Sequence, residues 1–378
     1  MTMLDPTHPA QVAHLRAAHP HAAYPHMHGR HEVPWPPEVW QRLDAAVHEE
    51  LTRARVAAKF LPILHVSAKT LTEPSDAVPS KPGSAPLSVD EAQTTPIGEY
   101  SVEFILTPAQ VEHEAAAAAS IAHGHSASTA ITLARRAANI LAQAEDMVIF
   151  QGSNAFKDPL FSGLNQKVTF RNGPVDAGLL QITLATATGT GGGAPRNTIT
   201  VRPVPGQAGA YQSNTVAGVA QAYAGLQAQT HYGPYALVLH TVPFADTYTP
   251  LASTLITPAA PIKGLVTAGY FGSGTLLSSS SGAVTGARTV LLLPSPSDGS
   301  GGSVLYTGVL VSIDANLVDL VRGHLHPEHD AVITFVQRDV RGNYLFRVAQ
   351  RFALRLKDPS AVTSLEFADD IPTQPQPH

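Results

Sequence analysis

The most constraining feature of this sequence is a thirteen-residue segment near its end, residues 344–356, in which apolar side chains alternate with arginines. One set of alternate positions holds Tyr344, Phe346, Val348, Phe352, Leu354 and Leu356, and the other holds Arg347, Arg351 and Arg355. Side chains of a strand point alternately to the two faces of a sheet, so this pattern predicts a long β-strand. The preceding AVITFVQ segment and VRGN turn predict its hairpin partner.

Two helices are predicted upstream of this hairpin. Within residues 35–62, Trp40, Leu43, Val47, Leu51 and Ala54 recur at steps of three and four, which indicates an amphipathic helix with Pro37 in its first turn. An Ala-rich segment predicts a longer helix from about 126 to 150, closed by Gly152.

The remaining segments are assigned from composition and local pattern. Residues 1–34 contain His8, His14, His19, His21, His26, His28 and His31, and we expect a flexible His/Pro-rich tail there, with a second tail over 361–378. Pro, Ser and Thr over 66–95 favour an extended loop or β-arm. We further expect a short helix near 215–229, a buried strand at 235–240, and flexible loops at 278–282 and 294–302 around a TVLLL strand.

Composition excludes several function classes. The chain has no Cys, hence no disulfide and no thiolate metal site, and its net charge of -5 argues against nucleic acid as a main partner. With no run of 18 or more apolar residues, no membrane partner is expected and a cytoplasmic location is the default. The charged fraction, 14%, is well below the usual ~25%, which neighbouring subunits covering the surface or a loop-rich composition would both explain.

Three motifs resemble enzyme signatures but fit catalysis poorly. GHSAS at 124–128 lacks the second Gly and the preceding strand of a nucleophile elbow, so Ser126 or Ser128 is better read as a helix cap. The Gly run at 189–193 lacks the Lys-Ser/Thr of a phosphate cradle. Glu145 and Asp146 are adjacent on a helix and cannot both face one substrate. No catalytic residue and no cofactor is expected.

The segment GHLHPEHD at 323–330 places three histidines at a spacing compatible with zinc. Gly and Pro mark the same segment as a turn between two predicted strands, so solvated loop histidines are the favoured interpretation of His324, His326 and His329. The N-terminal histidines could also bind transition metals weakly, as any His-rich tail does. We expect no dedicated metal site.

Taken in order, five segments resemble the family 1 encapsulins, the linocin-type shell proteins. They are RARVAAKFLP (53–62), PIGEYSVEFILTPAQVE (96–112), AEDMVIFQG (144–152), GPYALVL (233–239), and VLVSIDANLVDLV followed by the hairpin down to FRVAQRFALRLKDP. Of these segments, AEDMVIFQG is the most specific to that family. The chain departs from the family pattern in its greater length, mostly in 156–215, 278–303 and the His-rich head, and in Gln350, where an acidic residue is usual.

The resemblance implies an α+β subunit with the tailed-phage major-capsid-like fold. Its parts would be a peripheral domain (103–160 and 305–360, with the long helix as spine), an axial domain with insertions (161–304) and an extended loop (63–102). Many copies of the chain would close into an icosahedral nanocompartment around a ferritin-like or peroxidase-like cargo enzyme. The targeting peptide of that cargo would dock in a groove lined by Trp40, Leu43, Val47, Leu51, Phe346 and Phe352, although helical spacing alone cannot separate groove from core.

Two alternatives stay open at this point. A major capsid protein of a phage or defective prophage would have the same fold and enclose DNA. A metal-dependent enzyme would use the histidine clusters.

Overall fold

The computed structural model describes residues 29–76, 93–119, 128–173, 178–180, 197–205, 207, 209–251, 255–277, 304–326 and 329–368. The helices of this part are α1 (Pro37–Ala54), α2 (Pro108–Ala119), α3 (Thr129–Gln151), α4 (Gln212–Ala228), α5 (Thr241–Asp246) and α6 (Ala259–Leu265). The strands are β1 (Ile63–Val66), β2 (Thr72–Pro74), β3 (Thr94–Pro96), β4 (Gly98–Leu106), β5 (Val168–Arg171), β6 (Thr198–Val201), β7 (Tyr235–His240), β8 (Gly269–Ser273), β9 (Val304–Ser312), β10 (Val318–Gly323), β11 (Ala331–Arg338), β12 (Tyr344–Leu356) and β13 (Val362–Ala368).

The first sheet is built around β12, the strand predicted from the alternating segment. Its order is β1-β10-β12-β4-β5, and β11 also pairs with β12. Antiparallel pairing of β11 with β12 confirms the predicted hairpin, whose register places Phe335 opposite Phe346. We call this the peripheral sheet. One face of it packs against the layer formed by α1 and α3.

Both predicted long helices form, but the first ends at Ala54 and does not extend to residue 62. Helix α1 starts at Pro37 and buries the apolar stripe. Helix α3 spans Thr129–Gln151, and the Ser128 hydroxyl caps it by accepting a hydrogen bond from the Ile131 amide at 3.1 Å. Gly152 ends it with φ 57°, a conformation that a side chain disfavours. The predicted spine helix is therefore confirmed, with Ser128 as its cap.

The second sheet has the order β6-β13-β9-β7-β8 and its own apolar core. All six residues of β7 are buried, as expected for the YALVLH segment. Helix α4, over Gln212–Ala228, confirms the short helix predicted near 215–229. We call this the axial sheet.

The structure corrects four boundaries. Residues 361–378 are not all a flexible tail, because Val362–Ala368 form β13, a buried strand between β6 and β9. Strand β9 belongs to the axial sheet and not to the peripheral domain of 305–360. Residues 30–34 do not belong to the tail predicted over 1–34, since Arg30 and Val33 are buried. Residues 98–102 of the expected loop lie in β4.

The reason for the first correction is that both faces of β13 are covered, so its polar residues are buried along with its apolar ones and no alternation marks it as a strand. The predicted TVLLL strand, the Gly run and the loops around 278–303 lie outside the described residues. In the described part, no helix combines the length and the hydropathy that crossing a membrane requires.

Candidate functional site

The apolar stripe of α1 lies in the core of the subunit. Leu43 is 0% exposed and Val47 and Leu51 are each 1% exposed, while Trp40 reaches 6%. Phe346 and Phe352, on the facing strand β12, are also buried. All six residues expected to line a peptide groove belong to one hydrophobic cluster between α1, α3 and the peripheral sheet. In this arrangement they build the subunit and present no open surface to a peptide.

Aromatic contacts lock α1 onto β12. The Trp35 ring stacks on Phe346 with centroids 5.1 Å apart and meets Trp40 edge-on at 5.0 Å. The Trp35 indole N–H donates to the Val111 carbonyl at 2.9 Å, which satisfies its polar atom inside the core. Phe352 stacks instead on Tyr100 of β4, at 4.4 Å. Packing of the apolar side of α1 against β12 therefore stabilises the folded subunit.

A shallow groove lies between α1 and α3 at the surface of the subunit. It is lined by Glu50, Arg135, Arg136, Asn139 and Ile140. Glu50 accepts hydrogen bonds from Arg53 and from the Asn139 amide, and Arg135 pairs with Glu49 at 2.7 Å. The hydrogen bonds from Arg53 hold the pKa of Glu50 below its ordinary value. The groove thus combines an aliphatic floor with exposed guanidinium groups.

A network of buried charges joins the end of α1, the spine helix and the peripheral sheet. Glu145, fully buried on α3, lies 2.8 Å from Arg55 and 2.6 Å from Arg322. Asp330 contacts both of the same arginines. Two guanidinium groups thus face two carboxylates, which is the pairing that buried charges need.

Asp146, the neighbour of Glu145, has a different role. Its carboxylate accepts the backbone N–H groups of Val56 and Ala57, at 2.9 Å each, just after α1 ends. Burial is the largest influence on this carboxyl and raises its pKa to about 7. Glu145 and Asp146 therefore face different partners, as expected from their adjacency, and both tie α1 to α3.

Gln350 stands at the edge of the charge network. Its Oε1 accepts from Arg55 at 2.6 Å, and its Nε2 donates to the Leu141 carbonyl at 3.2 Å. An amide here serves one arginine and one carbonyl at once, which a carboxylate could not do. Gln350 therefore links Arg55 to the backbone of the spine helix.

The arginines on the other side of β12 fall into two groups. Arg347 is partly exposed and pairs with Glu103 of β4 at 2.6 Å. Arg351 and Arg355 are 4% and 5% exposed and donate hydrogen bonds to backbone carbonyls of the chain that follows β1. That chain, residues 67–76, crosses the outer face of the sheet, and we call it the arm root.

The histidines of the 323–330 turn are not all solvated, contrary to the sequence interpretation. His326 is buried, with Nε2 3.5 Å from Asp44, and its ring lies 4.6 Å from that of His329. Burial alone would raise the pKa of Asp44, but hydrogen bonds from His326 and Arg30 outweigh it and hold that pKa below its ordinary value. Within the described residues, no group of three or more His, Asp or Glu side chains could hold a metal ion.

The GHSAS motif contributes a structural hydroxyl. The Ser128 hydroxyl donates a hydrogen bond to the Glu114 carboxylate at 2.5 Å and accepts one from the Ile131 amide at the start of α3. The hydroxyl is therefore used both as donor and as acceptor. The other residues of the motif lie outside the described part. Together these side chains hold the helices and the arm root on the peripheral sheet. The sequence interpretation missed both the charge network and the arm-root contacts. The arginines at alternate positions of β12 were a sequence signal for the arm-root contacts alone.

A comparison with protein families matches the part of the chain that contains α1, β4, α2 and α3. Residues 26–169, less than half of the chain, match the model of the family Linocin_M18, described as encapsulating protein for peroxidase. This confirms the predicted resemblance over that segment. No curated protein matches the sequence.

Among solved structures, the virus-like particle from Pyrococcus furiosus matches with a TM-score of 0.54 at 12% identity, covering 87% of this chain and 100% of that one. The SrpI encapsulin complex from Synechococcus elongatus PCC 7942 gives 0.43 at 10% identity, covering 100% of both chains. The capsid of a native GTA particle gives 0.43 at 15%, covering 82% of this chain and 89% of that one. The first of these likenesses confirms the predicted α+β capsid-like fold.

Proposed function

We propose that this chain, whose residues 26–169 match the encapsulating-protein family, is the repeating subunit of a closed icosahedral shell that holds a cargo enzyme in the cytoplasm. The observation that carries the proposal is the coincidence of two likenesses. The family match covers α1, the arm root, β4, α2 and α3, and the likeness to the virus-like particle covers that subunit completely.

The surface of the subunit supports assembly. Ile63 and Leu64 of β1 are 40% and 37% exposed, and Leu71 of the arm root is 59% exposed, so apolar side chains lie where a second copy would cover them. Repeated contacts of one surface with a different surface of the next copy close into rings and shells. The low charge content of the chain fits a surface that is largely covered in this way.

The cargo would be a peroxidase-like or ferritin-like enzyme that carries a targeting peptide. Because the six apolar residues first considered are buried, we place peptide docking at the α1–α3 groove instead. Ile140 offers an apolar contact there, and Arg135 and Arg136 favour a peptide that carries a carboxylate. The whole peptide would bind as a short segment laid between the two helices.

The shell is tested by sizing the purified full-length chain in size-exclusion chromatography and negative-stain microscopy, with the ratio of absorbance at 260 and 280 nm read on the same peak. We expect closed particles tens of nanometres across that contain protein and no nucleic acid. Particles filled with DNA would support the phage-capsid alternative. A monodisperse monomer or dimer would overturn the proposal.

Cargo docking is tested by co-purification of native cargo with Arg136→Glu shells. Reversing this exposed charge should reduce cargo per particle about tenfold, since 1.4 kcal/mol of lost binding is tenfold in affinity. Arg42→Glu, an equal charge change at an exposed α1 position outside the lining residues of the groove, is the matched control. Equal cargo in both variants would place docking elsewhere on the shell.

A further inference from the structure

Arg351 is a buried cation whose hydrogen bonds go to backbone carbonyls of the arm root. It donates to the carbonyl of Ala68, and its Nη2 donates to the carbonyl of Thr70 at 2.6 Å. Burial lowers the pKa of this guanidinium from its ordinary value, with Glu99 acting weakly in the opposite direction. Removing a guanidinium from water is costly unless its donors are satisfied. In this site the acceptors that satisfy it belong to residues 68 and 70.

Arg355, two positions further along the same face, holds the next part of the arm root. Its Nη1 donates to the Pro74 carbonyl at 2.9 Å and lies 3.2 Å from Asp76. Its Nε and Nη2 are held by both oxygens of Asp319, at 2.9 and 2.5 Å. Asp319 of β10 therefore fixes the orientation of the Arg355 guanidinium group, and this group in turn holds the Pro74 carbonyl of the arm root.

The sheet face under the arm root is shaped to receive it. Gly323 lies beneath Arg351, and a Cβ atom there would approach the Arg351 Cβ to 3.2 Å. Small apolar contacts flank the two arginines, with Val66 against Ile97, Val321 and Ala353, and Ala68 against Leu325, Val332 and Ala349. The base of the loop is closed by the β2–β3 ribbon and by the Ile97 amide, which donates to the Leu71 carbonyl at 2.8 Å.

We propose that Arg351 and Arg355 are positioning residues for assembly, which clamp the arm root onto the subunit's own sheet and so fix the position of its exposed Leu71. This inference rests on the proposed shell function. The partner is a second copy of this chain, which covers Leu71 in the assembled shell. A segment whose position is fixed in advance loses less conformational freedom when it meets that copy.

The test compares full-length Arg351→Met and Arg351→Lys with wild type, and uses Arg347→Met as the matched control. Arg347 lies on the same face of the same strand and pairs with Glu103, outside the arm root. Hydrogen exchange reports the clamp directly through the amides of Ser75 and Ile97, which bond to Gln93 and Leu71 across the base of the loop.

In Arg351→Met we expect these two amides to exchange about tenfold faster or more, because a hydrogen bond from a charged group is lost. Core amides of α3 should exchange as in wild type, and microscopy should show broken or irregular shells. Arg351→Lys keeps the charge without the fork and should restore regular shells in part. Arg347→Met should leave both readouts unchanged.

Normal shells in Arg351→Met would overturn the inference, whether or not the two amides exchange faster, since the clamp would then have no role in assembly. Irregular shells with unchanged exchange would overturn it too, because the arginine would then act elsewhere. If Arg351→Met fails to fold, Arg351→Lys against wild type decides by the same two readouts. Failure of the proposed function is separate, because it appears as an absence of shells in wild type.

Discussion

The two faces of β12 differ in what they contact. The face with Phe346, Val348 and Phe352 packs against α1 and α3, where nearly every contact is apolar and the few charges are paired inside the core. The face with Arg351 and Arg355 contacts mainly backbone carbonyls of the arm root. The two faces of one strand therefore differ in role, since the first stabilises the subunit and the second holds the segment that we propose to meet a second copy.

The comparison teaches that burial alone does not identify function in this fold. Leu43 and Arg351 are both almost fully buried. Leu43 packs among apolar side chains of the core, whereas Arg351 donates hydrogen bonds to backbone carbonyls of the arm root. A substitution on the first face should reduce the stability of the subunit. A substitution on the second face should change assembly more than stability. The predictions below test this division, beginning with the largest effect.

The largest effect is expected for Leu43→Ser combined with Val47→Ser. Leu→Ala alone typically costs about 2–5 kcal/mol in a core, and a serine hydroxyl without a partner adds to that cost. Two such losses approach the whole stability of a domain, about 5–15 kcal/mol. We expect little folded protein by circular dichroism and no shells. Gln41→Ser, at an exposed position of the same helix, is the control and should behave as wild type.

Intact empty shells from the double variant would contradict the core assignment and return these residues to the role of a peptide groove.

The second effect is expected for Glu145→Gln. Neutralising this carboxylate leaves Arg55 and Arg322 with Asp330 as the remaining carboxylate of the network. Removing one partner from a buried ion pair typically costs about 3–5 kcal/mol. The midpoint of urea unfolding at pH 7 and matched protein concentration should fall accordingly. Glu49→Gln, which removes an exposed carboxylate from Arg135, should change the free energy of unfolding by less than about 1 kcal/mol. Equal shifts in both variants would show that the network is not a buried one.

The third effect concerns pH and Asp146. Its pKa is raised to about 7 from an ordinary 3.8, so between these values the folded protein holds a proton that the unfolded chain releases. The stabilisation is complete below pH 4 and is lost as pH rises to 7, by up to about 1.4 kcal/mol per pH unit. Asp146→Asn lacks this titration. We therefore expect the unfolding free energy of wild type, minus that of the variant, to fall from pH 4 to pH 7 and then level off.

A difference that rises with pH over this range would contradict that expectation. It would mean that the amides of Val56 and Ala57 keep the carboxylate ionised in the folded protein.

The smallest effect is expected for Arg347→Met. This arginine is partly exposed, and its pair with Glu103 lies at the surface of the sheet. Exposed ion pairs contribute about 0.2–1 kcal/mol. Differential scanning calorimetry of Arg347→Met shells should give nearly the wild-type melting temperature. A loss as large as that of Arg351→Met would remove the distinction between the clamp and its neighbour on the same face.

Periodicity predicted the elements that have one exposed face or one apolar stripe. Helix α3 and the β11–β12 hairpin formed at nearly the expected residues, and helix α1 formed with its expected start but ended earlier, at Ala54. Strand β13 was missed because Ser364 and Glu366 are buried in the middle of a sheet, and the Thr198 hydroxyl meets Ser364 at 2.9 Å. Polar residues satisfied by long-range partners leave no periodic signal in the sequence.

The site was predicted less well than the fold, for a related reason. Spacing identified which side of α1 is apolar, but the surroundings of that side depend on β11 and β12, almost three hundred residues further along the chain. The same is true of Arg351, whose partners at residues 68 and 70 are remote in sequence. Its place in an alternating strand predicted a polar face, and only the fold shows that this face holds the arm root.

The most direct test of this account is a cryo-electron microscopy map of the particles formed by the purified full-length chain. We expect a closed shell in which each subunit keeps the arm root on its own peripheral sheet, under Arg351 and Arg355, and a second copy covers Leu71 of the arm root. A map in which Leu71 faces solvent would contradict the account. So would a preparation that contains only monomers or dimers.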